Sequence, residues 1–290
     1  MLIGVSAHPG DVGVMLRQEK AGRHLTRLPD VQAVNLQFRS GPTTVLAGIE
    51  TLPVLVQDST VVAGPGRRSK PITRELFDVL AQLAAARGHR YFAYINSDII
   101  VRPEAIDAVR RGARETYALS RHDVDNADDL SSASAMIAGI DMFVLSVAWW
   151  RCHRRRFRAY IVGDACWDDV YAAVMMCHSD GIILNRDPLI LHERHPTVWN
   201  DATASARYNG FLAALDARYF DLWCTYFYRL EQARAAGASQ EVEERLRNEI
   251  LVWRPSPTEA IKQALRGVRA RWRFRRIRSA ALTAAPGRNI

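Results

Sequence analysis

Along residues 1–200, short apolar runs of strand character recur at 2–6 (LIGVS), 53–57 (PVLVQ), 91–95 (YFAYI), 116–120 (TYALS), 142–145 (MFVL) and 182–185 (IILN). Stretches of helical spacing lie between several of them. The clearest is ITRELFDVLAQLAAARG, where Ile72, Leu76, Val79, Leu80 and Leu83 fall on one helical stripe and Gly88 supplies a stop. It feeds directly into YFAYI. Alternation of this kind predicts an α/β protein, a sheet flanked by helices. Residues 120–134, SRHDVDNADDLSSAS, carry no apolar period and are predicted to form an exposed polar loop of the kind that orders around a ligand. Beyond about residue 202 the pattern turns all-helical, through YNGFLAALDARYFDLWCTYFYRLEQARAAG and EVEERLRNEILVW to a basic helix after PSP. A boundary is therefore placed near residue 200, separating an α/β domain (1–200) from a helical C-terminal region (201–290).

Composition narrows the class. With 290 residues and 48% apolar content the chain can fill a substantial core. The four cysteines form no CxxC pair and are too sparse for a disulfide framework, which predicts reduced thiols and a cytoplasmic setting. No apolar stretch reaches the roughly 18 residues of a membrane span, and MLIGVSAHPGDVG does not read as a secretory leader. The formal net charge of +8 is concentrated in the tail, RGVRARWRFRRIR. There Ile261, Leu265, Val268 and Trp272 share one helical face amid arginines, the pattern of a basic amphipathic helix. Such a helix suits an anionic membrane surface, or it docks its apolar stripe on residues 211–230. No readout motif accompanies the basic tail, so nucleic acid is not expected as a partner. The run RCHRRRFR (151–158) reads as a solvated face or as a contact for an anionic acceptor.

Candidate chemistry begins where YFAYI breaks into Asn96, Ser97 and Asp98. In open α/β sheets ligands bind beyond the carboxyl ends of the strands, so this triplet stands where a site is sought. A carboxylate in apolar surroundings is costly to keep ionised unless a cation neutralises it, and a hard divalent metal with phosphate oxygens does so. Alternatively, Asp98 caps the helix beginning near Pro103 or ends the strand in a turn. Three later segments bear on the choice. GIDMFVLS places Asp141 before an apolar strand; YIVGDACWDDVYAAVMM leads a glycine turn into Trp167, Asp168, Asp169 and a helix; GIILNRDPLILHERH ends in His192 and His195.

In order and spacing, NSDI, Arg121 with Asp123, Asp141-Met142-Phe143, Gly163 to Trp167-Asp168, and His192-Glu193-Arg194-His195 together resemble the glycosyltransferases of the A-type (GT-A) fold, the nucleotide-diphospho-sugar transferases. The resemblance covers residues 50–200. It implies a GT-A-like mixed sheet flanked by helices, and an enzyme that moves a sugar from a nucleotide-diphosphate donor to an acceptor hydroxyl, carried by a glycan or a lipid-linked molecule. It further implies Mn²⁺ or Mg²⁺ held by Asp98 and His192, with His195 as the alternate, and Asn96 and Ser97 near the ribose or donor sugar. Arg121 and Asp141 are also assigned to the donor. Asp168 becomes the general base, with Asp169 as its substitute. The metal would stabilise the diphosphate leaving group, and the carboxylate would take the acceptor's proton. Trp167 either stacks on a sugar ring or packs. Asp58, after PVLVQ, stands where a carboxylate could meet the base or ribose. The triplet departs from the family's Asp-x-Asp by opening with asparagine, which leaves Asp98 as its sole charged ligand.

Two other functions compete. AHPGD (7–11) resembles the start of zinc-dependent N-acetylglucosaminyl deacetylases, but Gly10 replaces their first acidic residue, so ligands would remain without the base. A non-catalytic sugar-nucleotide-binding module is the other alternative.

Overall fold

The computed structural model describes residues 1–64, 68–135, 139–196 and 203–251, together with positions 258, 261, 262, 265 and 268. The strands are β1 (Leu2–Val5), β2 (Gln32–Phe38), β3 (Glu50–Leu55), β4 (Tyr91–Ile95), β5 (Ile99–Val101), β6 (Thr116–Leu119), β7 (His122–Val124), β8 (Ser134–Ala135), β9 (Met142–Ser146), β10 (Ile182–Leu184) and β11 (Ile190–Glu193). The helices are α1 (Val12–Thr26), α2 (Ser59–Ala63), α3 (Thr73–Ala86), α4 (Pro103–Gly112), α5 (Val147–His153), α6 (Trp167–His178), α7 (Ala204–Leu215), α8 (Ala217–Ala235) and α9 (Gln240–Leu251).

Seven strands form the main sheet in the order β10-β6-β9-β4-β1-β2-β3. β9 runs antiparallel to both β4 and β6, while the other pairs are parallel. Strands buried on both faces read as continuous apolar runs, which is why YFAYI and MFVLS show no alternation. On one face lies a core built around Phe77 of α3, whose ring contacts Phe92, Phe143, Trp150 and Tyr171 at centroid distances of 6.1, 6.0, 5.4 and 5.3 Å. α6 and α8 join that core through Trp167, Tyr171, Trp223 and Tyr226. The other face packs on α1 and α4 through residues such as Leu25 and Ile106. This is the mixed α/β sheet flanked by helices that the sequence predicts.

Several details depart from the sequence reading. β2 was not legible, because VQAVNLQF places Asn35 and Gln37 among its apolar residues; both are buried, at 0% and 5% exposure. β3 starts three residues before the expected run. Residues 120–134 are not wholly a loop. They contain β7, a 3₁₀ turn at Leu130–Ser132 and the start of β8, because a second sheet, β5-β11-β7-β8, gives their backbone groups partners. All four cysteines are free thiols. Among the described residues no helix is long and apolar enough to cross a membrane. Ile261, Leu265 and Val268 are exposed at 62%, 55% and 60%, so these three do not dock on residues 211–230. Trp272 and the tail arginines lie outside the described residues. In the 151–158 run, Arg154 and Arg158 are ion-paired with Asp78 and Asp216, whereas Arg151 and Arg155 are exposed.

Candidate functional site

A cavity of about 600 Å³ opens beyond the carboxyl ends of β1 to β4, floored by Ser6, Gln37, Val56 and Asn96 and reached by Asp58, Ser97 and Asp98. Its basic groups are His8, Arg68 and Lys70. Lys70 donates to the Gly163 carbonyl at 3.1 Å and pairs with the buried Asp164 at 3.0 Å. A buried amide network fixes the floor. Asn35 Oδ1 accepts from the Ala7 N–H at 3.0 Å, Gln37 donates to the Ala7 carbonyl at 2.8 Å, and Gln18 of α1 bridges both backbone groups of His8. The Ser97 hydroxyl donates to the Gln18 Oε1 at 2.8 Å, which ties the Asn-Ser-Asp turn to the end of β1. Sequence reasoning missed this scaffold. Its one signal was a glutamine on the stripe that Ala21 and Leu25 bury on α1.

Asp98 does not cap α4, whose N-cap is Arg102 without a side-chain bond. It stands in the tight turn between β4 and β5, closed by the Ile99 N–H on the Asn96 carbonyl at 3.2 Å. Strand register then gathers the second sheet's residues around it, since His192 is paired with Ile99 on one side and with Asp123 on the other. Asp98 Oδ2 lies 3.7 Å from both His192 Nε2 and His195 Nε2, and the two imidazole nitrogens are 3.1 Å apart. Hydrogen bonds at the far nitrogens set the tautomers. His192 Nδ1 faces the Asp123 carboxylate at 2.9 Å and His195 Nδ1 faces the Pro196 carbonyl at 3.1 Å, so each Nδ1 carries the proton. The lone pairs of both Nε2 atoms and of a carboxylate oxygen therefore converge. A divalent cation would bridge these three atoms, which form the metal-ligand group found among the described residues.

Behind the cluster, Asp123 also accepts from Arg121 Nε at 2.9 Å, and Arg121 reaches on to Asp141 at 3.2 Å. Asn96 donates to the same Asp141 at 2.8 Å. Burial works against the Asp123 carboxylate, but His192 and Arg121 outweigh it and lower its pKa. Burial raises the pKa of Asp141, and Arg121 with the Asn96 amide offsets this only in part. Arg121 is half-buried, yet Asp141 and Asp123 raise its pKa, so it stays a cation. Arg121 and Asp141, assigned from the sequence to the donor, are thus not walls of the cavity. They brace the cluster from behind.

Asp58 does line the cavity, where it caps α2 by accepting from the Thr60 N–H at 2.9 Å. Burial pulls its pKa up, but bonds from Ser69 and Thr60 prevail and hold it low. At the other edge, Gly163 (φ 72) and Cys166 (φ 74) take left-handed backbone conformations that turn the chain into α6. Asp168 and Asp169 occupy its first turn. Burial, then the charges of Asp169 and Asp141, push the Asp168 carboxyl well above the usual range. Asp169 is also raised by burial, against a hydrogen bond from Trp223. Trp167 is 4% exposed and packs on Phe143 at 5.1 Å, so it is a core residue and does not stack on a ligand. In AHPGD, Asp11 caps α1 through the Val14 N–H at 2.9 Å, and neither it nor His8 belongs to the metal-ligand group.

No family model and no curated protein matches the chain. Solved structures do resemble it. S. aureus TarS 1-349 in complex with UDP-GlcNAc matches with a TM-score of 0.48 and 8% identity over 74% of this chain and 65% of that one. The same fragment with UDP gives 0.41 and 10% over 76% and 64%. A glycosyltransferase involved in the glycosylation of the major capsid of PBCV-1 gives 0.34 and 10% over 68% and 94%. The chain thus spans slightly less than two thirds of the TarS fragment. At such low scores the likeness is one of general architecture, and function rests on the site's own geometry.

Proposed function

We propose that this protein is a metal-dependent glycosyltransferase that takes a nucleotide-diphosphate sugar as donor and an acceptor hydroxyl as its second substrate. One observation carries the reading: three lone-pair donors, Asp98, His192 and His195, meet at the edge of a cavity with basic walls, and one of them, Asp98, belongs to both. A divalent cation fits the donor set, and two imidazoles beside one carboxylate favour Mn²⁺ over Mg²⁺. When bound, it would supply charge neutralisation for a diphosphate leaving group.

The chain's own residues have the following parts in this reading. His8, Arg68 and Lys70 receive the anionic diphosphate, and Asp58 meets the ribose or base from the N-terminus of α2. Asn96 and Ser97 hold the turn that aims Asp98. Asp123 fixes the tautomer and orientation of His192, and Arg121 and Asp141 fix Asp123 and Asn96 in turn. Asp168, at the start of α6, takes the proton of the attacking hydroxyl. Its raised pKa makes the ionised Asp168 a stronger base than an ordinary aspartate, and because the carboxyl is held protonated at neutral pH, turnover should rise as the pH approaches about 8. The exposed stripe of Ile261, Leu265 and Val268 supports attachment to an anionic bilayer, where a lipid-linked acceptor would reside.

Calorimetric titration with UDP and other nucleoside diphosphates, with and without Mn²⁺, tests the site. Wild-type protein is expected to bind in a Mn²⁺-dependent manner and Asp98→Asn to lose that dependence while keeping its fold by circular dichroism. Equal metal-dependent affinity in the variant would place the site elsewhere.

A further inference from the structure

Residues 158–162, which precede the turn into Asp168, run between the cavity wall and α7. Asn209 of α7 is 0% exposed, and both ends of its carboxamide are bonded to one residue of this segment: Oδ1 accepts from the Ile161 N–H at 2.9 Å and Nδ2 donates to the Ile161 carbonyl at 2.9 Å. A single side chain thus gives Ile161 the pair of bonds that an antiparallel strand would give it. The other side of the segment is bonded to the wall. Ile72 forms an antiparallel bridge with Ile161, the Thr73 N–H donates to the Tyr160 carbonyl at 2.9 Å, and the Val162 N–H donates to the Pro71 carbonyl at 3.1 Å. Arg158 and Tyr160 donate in turn to Asp216, at the junction of α7 and α8, at 2.6 and 3.0 Å. Val162 and Gly163 line the cavity. No described residue of α7, α8 or α9 does so, and these helices reach it through the elements they hold.

Beyond the turn the helical region takes hold a second time. α8 packs on α6, and the indole of the buried Trp223 donates a hydrogen bond to Asp169. Asp168 faces Asp169 and, from the residue before β9, Asp141; Asp169 faces Trp223 and Cys224 of α8. Between the two attachments the backbone is left-handed at Gly163 and again at Cys166. A residue with a side chain is costly to hold in that conformation, and it persists only where the surrounding structure over-determines it. Asn209 before the turn and Trp223 after it supply that constraint. We propose that these two are positioning residues: α7 and α8 hold the 161–169 segment at both ends and so set where the Asp168 carboxylate stands against the cavity. The part given to Asp168 rests on the glycosyltransferase reading, whereas the attachment of the segment to α7 and α8 does not.

Hydrolysis of UDP-glucose, UDP-N-acetylglucosamine and GDP-mannose by the full chain with Mn²⁺, followed from about pH 5 to about pH 9, tests the proposal beside amide hydrogen exchange. Asn209→Leu keeps the side chain's size and removes both bonds to Ile161. Turnover should fall about 100-fold, as a displacement of about 1 Å at the reacting group implies, with Mn²⁺-dependent UDP affinity little changed. Exchange should quicken across 161–169 and not in β4. Trp223→Phe keeps the packing, removes the indole N–H, and covers the case in which the leucine variant does not fold. Asp169 then takes up a proton more readily, its charge no longer helps to retain the proton of Asp168, and the rise of turnover moves to lower pH. A merely structural tryptophan would lower turnover and leave that rise where it was. An unmoved rise in folded Trp223→Phe, or unchanged turnover and exchange in folded Asn209→Leu, overturns the proposal. If the parent protein hydrolyses none of the three donors, the transferase reading falls and the part of Asp168 with it, while the exchange result decides the attachment of the segment by itself.

Discussion

Replacing Asp168 by asparagine removes a carboxyl that the fold holds in its protonated form. Burial first, and the neighbouring Asp169 and Asp141 after it, push the pKa up to about 8, against about 3.9 in an unfolded chain. Below about pH 4 both states carry the proton, and this group leaves stability untouched. As pH rises from there the unfolded chain releases its proton and the folded one does not, so stability falls by up to about 1.4 kcal/mol per pH unit until the folded pKa is reached. Unscreened, the loss at pH 7 would approach about 4 kcal/mol. Asp168 is only partly buried by surface area, and Asp169 competes for the same proton, which brings the figure to about 1–2 kcal/mol. Asp168→Asn, with nothing to titrate, should therefore be more stable than wild type by about 1–2 kcal/mol at pH 7, or about 2–8 °C in Tm. The gap should close near pH 4. Thermal and urea melts across that range, in EDTA, measure it. A gap that does not change with pH, or a wild type that is the more stable at pH 7, would refute the reasoning. The same variant is expected to lose turnover by several orders of magnitude with little change in donor affinity, because the proton leaves only in the transition state. Stability gained as activity is lost distinguishes a working carboxylate from a structural one.

Asp123→Asn keeps the shape of His192's support and removes its charge, so Mn²⁺ affinity should fall about 10- to 100-fold by calorimetry; an unchanged affinity would mean that Asp123 does not orient the ligand. Phe77→Ala empties the centre of the aromatic core, where Phe77 is 0% exposed, and should cost about 3–5 kcal/mol in urea unfolding. A loss under about 1 kcal/mol would show that the core there can collapse. Deletion of residues 256–290 should abolish salt-sensitive co-sedimentation with anionic liposomes, to which each arginine near the surface contributes about 1 kcal/mol. Binding that survives the deletion would assign the membrane contact to another surface.

The sequence by itself determined the layers and the chemical types. Apolar runs such as YFAYI and MFVLS can only be interior strands, because their side chains are apolar on both faces, and the stripe from Ile72 to Leu83 can only be a helix against them. The same runs delivered Asp98 to a strand end and Asp168 to a helix start, since polar residues that interrupt a core run must lie at its edge. Only the tertiary structure decided which of these residues meet. His192 and Asp98 are brought together by the register of β11 between β5 and β7, a pairing between segments far apart in the chain that no local period encodes. The pairing made His195 a full member of the cluster and placed Arg121, Asp123 and Asp141 behind it. It also gave partners to backbone groups in 120–134 that local composition assigned to a loop. β2 stayed hidden because Asn35 and Gln37 look like surface residues until their amides are seen bonded to the end of β1.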